Sequence, residues 1–246
     1  DSKQLPPTSF FDKMNTDIDD EDNVTADMQS ILGMCDAQGA PQRMLRWHYR
    51  SRHESLISLS NKEFYEDKLV IFPSPGSKTK LGLVFHYLEN AVYDRGKTRT
   101  NPIEAEAVAD AVIQHALNNP KQSLGVVAFS TSQMQAIQNA LEGRRRKHPE
   151  VENFFRSHIH EPFFVKNLEH VQGDERDVIY ISIGYGKTEE GKIPMSFGPL
   201  NNEGGERRLN VLITRAKLRC EVFTNITSED IKPTESTKFG IRALKS

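Results

Sequence analysis

Cysteine is scarce in this sequence, and the scarcity excludes two kinds of stabilisation. Of the 246 residues only Cys35 and Cys220 are cysteines, and they stand far apart in the chain. Two isolated thiols provide neither a disulfide framework nor a cysteine metal site, and they fit a reducing compartment. We therefore predict a cytoplasmic protein without structural disulfides.

Long apolar runs and a charge excess are also missing. No stretch approaches the roughly 18 apolar residues of a membrane-spanning helix, and Asp1–Phe11 lacks the basic start and apolar centre of a signal peptide. The net charge of −2 gives no overall attraction to nucleic acid, but a local basic groove remains compatible with it, because affinity depends on the phosphates contacted. We predict no membrane span and keep nucleic acid as a partner.

Several catalytic and metal-binding patterns are absent. The sequence has no G-x-x-x-x-G-K-[ST] phosphate loop, no G-x-S-x-G nucleophile elbow and no zinc-ligand spacing. The acidic run Asp17–Asp22 resembles the start of a calcium loop, but the required glycine and final glutamate would fall on Asp22 and Met28. We interpret the run as a solvated linker and assign no metal site.

What the sequence does contain is an alternation of apolar strands and helices. Short apolar runs predict strands at 83–88, 124–129, 163–168, 178–183 and 219–224. Helical spacing predicts helices at 26–37, 54–65, 101–117, 134–146, 206–217 and 235–245. This order implies an α/β three-layer sandwich, in which helices cover both faces of a mainly parallel sheet.

Two local signals refine this prediction. Residues 101–104 (NPIE) are typical of a helix start, because asparagine caps, proline suits the first position and glutamate at the third can satisfy free amides. Ser130 and Thr131 follow the strand at 124–129, at the carboxyl end where open parallel sheets gather ligands. Capping of the next helix by the same hydroxyls is an equally good interpretation.

The predicted helix 206–217 places two arginines beside a buried face. At about 100° per residue it has one apolar stripe, formed by Leu209, Leu212, Ile213 and Ala216. Arg208 and Arg215 are seven residues apart and share a flank of the helix next to this stripe. Such arginines usually snorkel or pair with a carboxylate, so the neighbouring motifs must decide their role.

Four motifs resemble those of superfamily 1 helicases and follow one another along the chain in the same order as in that family. Residues 209–217 (LNVLITRAK) and 171–177 (VQGDERD) resemble the last two motifs, most closely those of the 5′ to 3′ branch that contains nonsense-decay and replication-associated helicases. Residues 44–52 (MLRWHYRSR) resemble its LxxxYRS motif, and residues 1–7 (DSKQLPP) resemble the end of GDxxQLPP, which closes the first RecA-like domain. The resemblance implies a RecA-like sandwich, the second such domain of a helicase.

The resemblance implies roles for three residues near phosphate. Gln4 matches the glutamine that senses the terminal phosphate of ATP, and Arg50 matches an arginine that reaches the phosphates across the domain cleft. Arg215 matches the arginine finger, which neutralises charge on the phosphoryl group in flight. A guanidinium suits this chemistry because its fork matches phosphate oxygens.

Further roles concern the rest of the nucleotide and the nucleic acid. Tyr49 matches an aromatic that stacks on the base, Gly173 lets the backbone approach the phosphates, and Glu175 binds through the ribose. Asp174 departs from the family pattern QGRE, which has arginine there. The turn at residues 130–131 touches the nucleic-acid backbone in the family, which makes Ser130 and Thr131 candidates for that contact. The basic run 144–147 could add a contact or be a solvated helix end.

These features lead us to expect the motor half of an ATP-dependent helicase. ATP with Mg²⁺ is the expected cofactor, and the metal should be held mainly by a first RecA-like domain. The expected partners are that first domain and single-stranded DNA or RNA. Residues 1–40 would hold the end of that first domain and the acidic linker, 41–227 the second domain, and 228–246 a tail. The fragment alone should lack activity, because it has no phosphate loop.

Two alternatives belong to other functional classes. In the first, the chain is a non-catalytic nucleic-acid-binding module whose arginines contact backbone phosphates. In the second, it is a small α/β hydrolase with its own site. The missing elbow, zinc spacing and paired carboxylates disfavour a hydrolase, and His158 and His160 could be metal ligands only with partners from elsewhere.

Overall fold

A single sheet of five parallel strands lies at the centre of the described structure. The computed structural model describes residues 1, 3–5, 31–74 and 81–246. The strands are β1 (Gly82–Tyr87), β2 (Leu124–Ala128), β3 (Phe164–Asn167), β4 (Arg176–Ser182) and β5 (Ala216–Thr224). Their order is β1-β5-β4-β2-β3, and every neighbouring pair is parallel. The predicted α/β fold with a mainly parallel sheet is confirmed.

Helices cover both faces of this sheet. They are α1 (Ile31–Ala37), α2 (Ser55–Phe64), α3 (Pro102–Asn118), α4 (Thr131–Lys147), α5 (Glu152–Ser157), α6 (Gly205–Ile213) and α7 (Phe239–Lys245). Successive strand residues point to opposite faces: Val126 packs into the core shared with α3, α4 and α5, and Val127 into the core shared with α2, α6 and α7. The three-layer arrangement therefore follows from strands that are apolar on both sides.

The predicted cap of α3 is confirmed in part. The Asn101 side chain accepts a hydrogen bond from the Glu104 amide at 3.2 Å, and proline occupies the first turn. The Glu104 carboxylate does not accept from the backbone amide of Asn101, which instead donates to Gln133 Oε1 at 2.8 Å. Glu104 is fully buried and points towards the end of β4.

The predicted helix 206–217 is too long. α6 ends at Ile213 and β5 already begins at Ala216, so Arg215 lies between helix and strand and does not share a helical flank with Arg208. The physical cause lies in competing hydrogen bonds: the Thr214 hydroxyl and Arg215 Nε both donate to the Val211 carbonyl, which satisfies the helix end. Strand pairing then starts at once, because the Arg176 amide donates to the Arg215 carbonyl.

Some predictions lie outside the described residues: those for Ser2, Pro6, Pro7, the acidic run Asp17–Asp22 and the first five residues of the helix at 26–37. Within the described residues, α1 and α7 occupy the later parts of the helices predicted at 26–37 and 235–245, and no helix there is both long and apolar enough to cross a membrane. α7 packs against α6, and its Ile241 belongs to the shared core.

Candidate functional site

Arg50 connects three motifs at the amino ends of the central strands. Its Nε donates to Glu175 Oε2 at 2.7 Å, and its Nη1 lies 3.5 Å from the Thr214 carbonyl. Glu175 immediately precedes β4, and Thr214 lies between α6 and β5. The Arg50 side chain keeps 35% of its surface exposed, so its guanidinium remains accessible to a ligand.

Arg215 lies beside this contact but is buried, with 4% of its surface exposed. Its Nε donates to the Val211 carbonyl at 2.8 Å and its Nη2 to the Thr214 hydroxyl at 3.0 Å. Nη1 makes no hydrogen bond to any residue in the described part of the chain. Burial lowers the pKa of Arg215 to about 10, and the positive charge of Arg50 acts in the same direction. The guanidinium is therefore still protonated at neutral pH and retains free donors.

A polar cavity of about 460 Å³ opens next to Arg50. It is lined by Trp47, His48, Tyr49, Arg50, Arg52, Glu175 and Lys217. Burial lowers the pKa of His48, and the charge of Arg50 lowers it further, so this imidazole is neutral at pH 7. Two arginines and a lysine line the cavity together with the Glu175 carboxylate, and Glu161 pairs with the lysine. The cations exceed these carboxylates by one, a charge balance that suits an anion.

Tyr49 and Lys217 both line this cavity. The Tyr49 side chain lies at the rim, 91% exposed, which leaves its ring face free. Lys217 Nζ contacts Glu161 and lies 4.0 Å from Glu175 Oε1. Glu161 comes from the chain segment before β3 and also accepts from the Ser123 hydroxyl. These carboxylates hold Lys217 at the cavity edge.

The loop before β4 has a backbone that requires glycine. Gly173 has φ +85°, in the left-handed region, and a Cβ there would meet nothing within 4 Å. The glycine is thus needed for conformation and not for packing, and the space around it is open. Arg176 donates to the Glu175 carbonyl at 2.6 Å and to the Pro162 carbonyl at 2.7 Å, and Asp174 pairs with Lys166. These bonds fix the position of Glu175.

The segment that contains Gln4 is bound to the same region. The Lys3 carbonyl accepts from Asn210 Nδ2 of α6 at 2.8 Å, and the Leu5 carbonyl accepts from Gln172 Nε2 at 3.1 Å. Gln4 is half-buried between these two contacts. The structure thus brings together the four segments that carried the sequence motifs, although they are distant in the chain.

Ser130 and Thr131 lie at the opposite edge of the sheet. The Ser130 hydroxyl accepts from the Gln133 amide at 3.1 Å and caps α4, and the Thr131 hydroxyl accepts from Asn167 Nδ2 at 3.0 Å. Because β2 and β4 are parallel and in register, these hydroxyls lie roughly 25–30 Å from Glu175 along the strand direction. The candidate site residues therefore form two groups, one at each edge.

The three arginines of the basic run at the end of α4 pair with neighbouring acids. Its arginines pair with carboxylates as follows: Arg144 with Glu106 and Asp110, Arg145 with Glu152, and Arg146 with Glu142. These pairs are side-by-side helix contacts or link α4 to α3 and α5. The geometry fits the solvated helix end, one of the two interpretations that the sequence left open.

Sequence reasoning did not single out Trp47, Arg52 or Lys217 as site residues. The first two fall inside the basic and aromatic run at 44–52, and Lys217 ends the motif at 209–217, so proximity to a motif was the available signal. Nothing in the sequence indicates that Glu161 holds Lys217, since 56 residues separate them.

Comparison with known proteins shows which family this chain belongs to. The profile of the AAA_12 family, described as an AAA domain, matches residues 28–227. Similar proteins are the uncharacterized ATP-dependent helicase MG140 of Mycoplasma genitalium, 32% identical over 259 residues, and its Mycoplasma pneumoniae homolog, 32% identical over 256 residues. Each alignment covers 99% of this chain and 22% of the relative, so the chain spans about a fifth of their length.

A solved structure also resembles the chain. It is the C-terminal domain of a possible DNA helicase from Lactobacillus plantarum WCFS1, 13% identical, with a TM-score of 0.37. The match covers 72% of this chain and 89% of that one. The match of the family profile to most of the chain shows that the protein belongs to the AAA_12 family of AAA domains.

Proposed function

We propose that this chain supplies the second RecA-like domain of a superfamily 1 helicase of the 5′ to 3′ branch, an ATP-dependent motor that translocates on or unwinds nucleic acid. The observation that carries the proposal is the contact of Arg50 with Glu175 and the Thr214 carbonyl. One guanidinium there joins segments that are 125 and 164 residues away in sequence. The curated relatives are named ATP-dependent helicases, which supports the proposal.

The residues around the cavity fit a nucleoside triphosphate. Arg50 and Lys217 offer N–H donors to phosphate oxygens, and the exposed ring of Tyr49 offers an apolar face to a base. When bound, ATP supplies the phosphoanhydride bond that is hydrolysed. The described residues include no group of three or more His, Cys, Asp or Glu that could hold a metal ion. We accordingly propose that Mg²⁺ is held mainly by the first RecA-like domain.

Each motif residue then has a physical task. Arg50 exchanges the Glu175 carboxylate for a phosphate oxygen, which frees Glu175 to accept from a ribose hydroxyl. Arg215 stays charged and uses its free donors to stabilise negative charge on the transferred phosphoryl group. Gln4 lies where its amide could contact the terminal phosphate, and the open space at Gly173 lets backbone amides approach it.

The proposed partners occupy the two edges of the sheet. The first RecA-like domain faces the amino edge, where it closes over the nucleotide, and single-stranded DNA or RNA crosses the carboxyl edge at Ser130 and Thr131. We propose residues 41–227 as the second domain, residues 1–40 as the end of the first domain with its linker, and residues 228–246 as a tail. α7 within that tail is packed on α6.

The test is the single-strand-stimulated ATPase of the intact helicase that contains this chain. Arg215→Ala and Arg50→Ala should each lower turnover by about a hundredfold or more, as loss of a charge-stabilising donor does in other enzymes. Arg215→Lys, which retains the charge without the fork, separates chemistry from loss of folding. Arg146→Ala removes an exposed cation that pairs with Glu142 at the far end of α4 and should leave turnover unchanged.

Unchanged turnover in both variants would refute the motor assignment of these arginines. A salt-dependent loss of binding with normal hydrolysis would instead support the non-catalytic nucleic-acid-binding module. The 246-residue chain by itself should show no magnesium-dependent ATPase, because its sequence contains no phosphate loop. Robust turnover by the purified chain would contradict the proposal.

A further inference from the structure

The connection between β1 and α3 contains a short hairpin with exposed cations. Residues 94–100, here called the 94–100 hairpin, include Arg95, Lys97 and Arg99, and all three are exposed. No salt bridge joins any of them to a carboxylate in the part of the chain that the structure describes. With Asp94 as its single acid, the hairpin carries a net charge of +2.

Backbone and side-chain bonds hold this hairpin in one shape. The Asp94 amide donates to the Thr100 carbonyl at 2.9 Å, and the Arg99 amide donates back to the Asp94 carbonyl at 2.8 Å. The Asp94 carboxylate accepts from the amides of Lys97 and Thr98. Arg99 has φ +56°, a left-handed conformation that non-glycine residues seldom adopt. Such an outlier in a well-bonded turn is a reason to look for a function.

The hairpin is attached to the edge of the sheet that carries Ser130. The Tyr93 amide donates to the Lys187 carbonyl at 2.8 Å, and the rings of Tyr93 and Tyr185 pack edge to face with centroids 5.5 Å apart. Burial raises the pKa of Tyr185, whereas the nearby Ser130 side chain and the charge of Arg99 act against that rise. Tyr185 therefore lies within interaction range of both Ser130 and Arg99.

The basic run at the end of α4 differs from the hairpin in how its cations are paired. Arg144, Arg145 and Arg146 form salt bridges with carboxylates of α3, α4 and α5. The hairpin cations are exposed and, among the residues that the structure describes, form no salt bridge, although the charge of Lys97 acts on Asp94 in the same turn. A cation that is already paired must break that pair to bind a phosphate, and an unpaired one has no such cost. The denser basic run in the sequence is therefore the weaker candidate for binding an anion.

We infer that the 94–100 hairpin binds the phosphodiester backbone of single-stranded nucleic acid at the carboxyl edge of the sheet, next to the turn at Ser130 and Thr131. This inference rests on the proposed function, because it deepens the single-strand contact assigned there. The class of ligand follows from the chemistry: three flexible cations on a rigid turn suit a string of phosphates, and they contain no fixed pocket for one base.

The experiment measures the binding of this chain to a fluorescent oligodeoxythymidine and to an oligouridine over a series of salt concentrations. The variant Arg95→Gln/Lys97→Gln/Arg99→Gln removes the charges and keeps the side-chain stems. With a slope of about 0.7 per single-strand phosphate contact, three lost contacts should lower the salt-dependence slope by about 2 and the affinity by about a hundredfold at ~0.1 M salt.

Two matched variants serve as controls for a change in net charge and for a structural role of the arginines. Lys121→Gln/Arg146→Gln/Lys147→Gln removes the same charge from exposed cations at the opposite edge of the sheet and should keep the wild-type slope. Arg95→Lys/Arg99→Lys retains the charge and should restore the slope, which a purely structural role of the arginines would not do. The oligodeoxythymidine and oligouridine arms show which sugar the strand carries.

The outcomes are distinguishable. If the wild type binds with a salt-dependent affinity and the hairpin variant keeps the same slope, the inference is wrong and the proposed function stands. An equal loss in the opposite-edge control would also overturn it, since only net charge would then matter. If the wild type shows no salt-dependent binding to either strand, the single-strand contact in the proposed function fails, and the inference fails with it.

Discussion

Glu104 should make the stability of this domain fall as pH rises. Its side chain is fully buried, with Oε1 accepting from the Ser182 hydroxyl at 2.6 Å and from the Gly184 amide at 2.7 Å. Burial raises the pKa of Glu104 from its ordinary 4.5 to about 8, against the opposing effect of these hydrogen bonds. The carboxyl is therefore protonated in the folded domain at neutral pH and ionised in the unfolded chain.

The direction and size of the effect follow from proton linkage. Between the two pKa values the folded state binds more protons than the unfolded state, so the free energy of unfolding declines with rising pH. The contribution is complete below pH 4.5 and is lost by about pH 8. At about 1.4 kcal/mol per pKa unit, the loss over this range is at most about 5 kcal/mol.

The perturbation is Glu104→Gln, which keeps an oxygen for Ser182 and Gly184 and cannot ionise. Urea unfolding of wild type and variant across this pH range gives the free energy of unfolding at each pH. The free energy of unfolding of the variant should increase relative to that of the wild type as pH rises. Glu106→Gln, a half-exposed position on the same helix, serves as the control and should run parallel to the wild type. Parallel profiles for Glu104→Gln would refute a protonated Glu104.

The remaining predictions concern local geometry and use urea unfolding at a single pH. Asn101→Ala removes the side-chain cap of α3 and should cost about 1 kcal/mol; an unchanged midpoint would contradict a role for the cap. Gly184→Ala should destabilise more strongly, since φ is +70° and the new Cβ would lie 2.8 Å from Gln133 Cγ. Gly143→Ala, inside α4 with nothing within 4 Å of its Cβ, should instead stabilise by up to about 1 kcal/mol. Equal effects at both glycines would show that the local backbone does not matter.

The fold could be predicted from the sequence because burial leaves a periodic trace. β2 and β4 are apolar on both faces, as strands inside a parallel sheet must be, and the cap at residues 101–104 marks the start of α3. The boundary of α6 could not be predicted in the same way. The stripe that includes Leu209 and Leu212 is buried as expected, but the same pattern extended the predicted helix through Arg215, because periodicity does not register competing hydrogen bonds.

The candidate site, too, could be predicted from the sequence only in part. Sequence motifs named Arg50, Glu175 and Arg215, but their contact depends on folding, since 125 residues lie between the first two. The sequence also made the run at 144–147 the most basic surface. Only the packing of α3 and α5 against α4 shows that acids pair with its arginines. Only the folded structure shows that the cations of the 94–100 hairpin form no salt bridge within the described part of the chain.

The sequence by itself determined the alternation of strands and helices and the chemistry carried by each motif, because residue type and local spacing act within one element. The tertiary structure decided which of those groups meet. It placed the arginines at one edge of the sheet and the hydroxyls of Ser130 and Thr131 at the other, and it buried Glu104 beneath Gly184. Charge pairing and burial depend on neighbours that are distant in the chain, and their distances are set only when the sheet assembles.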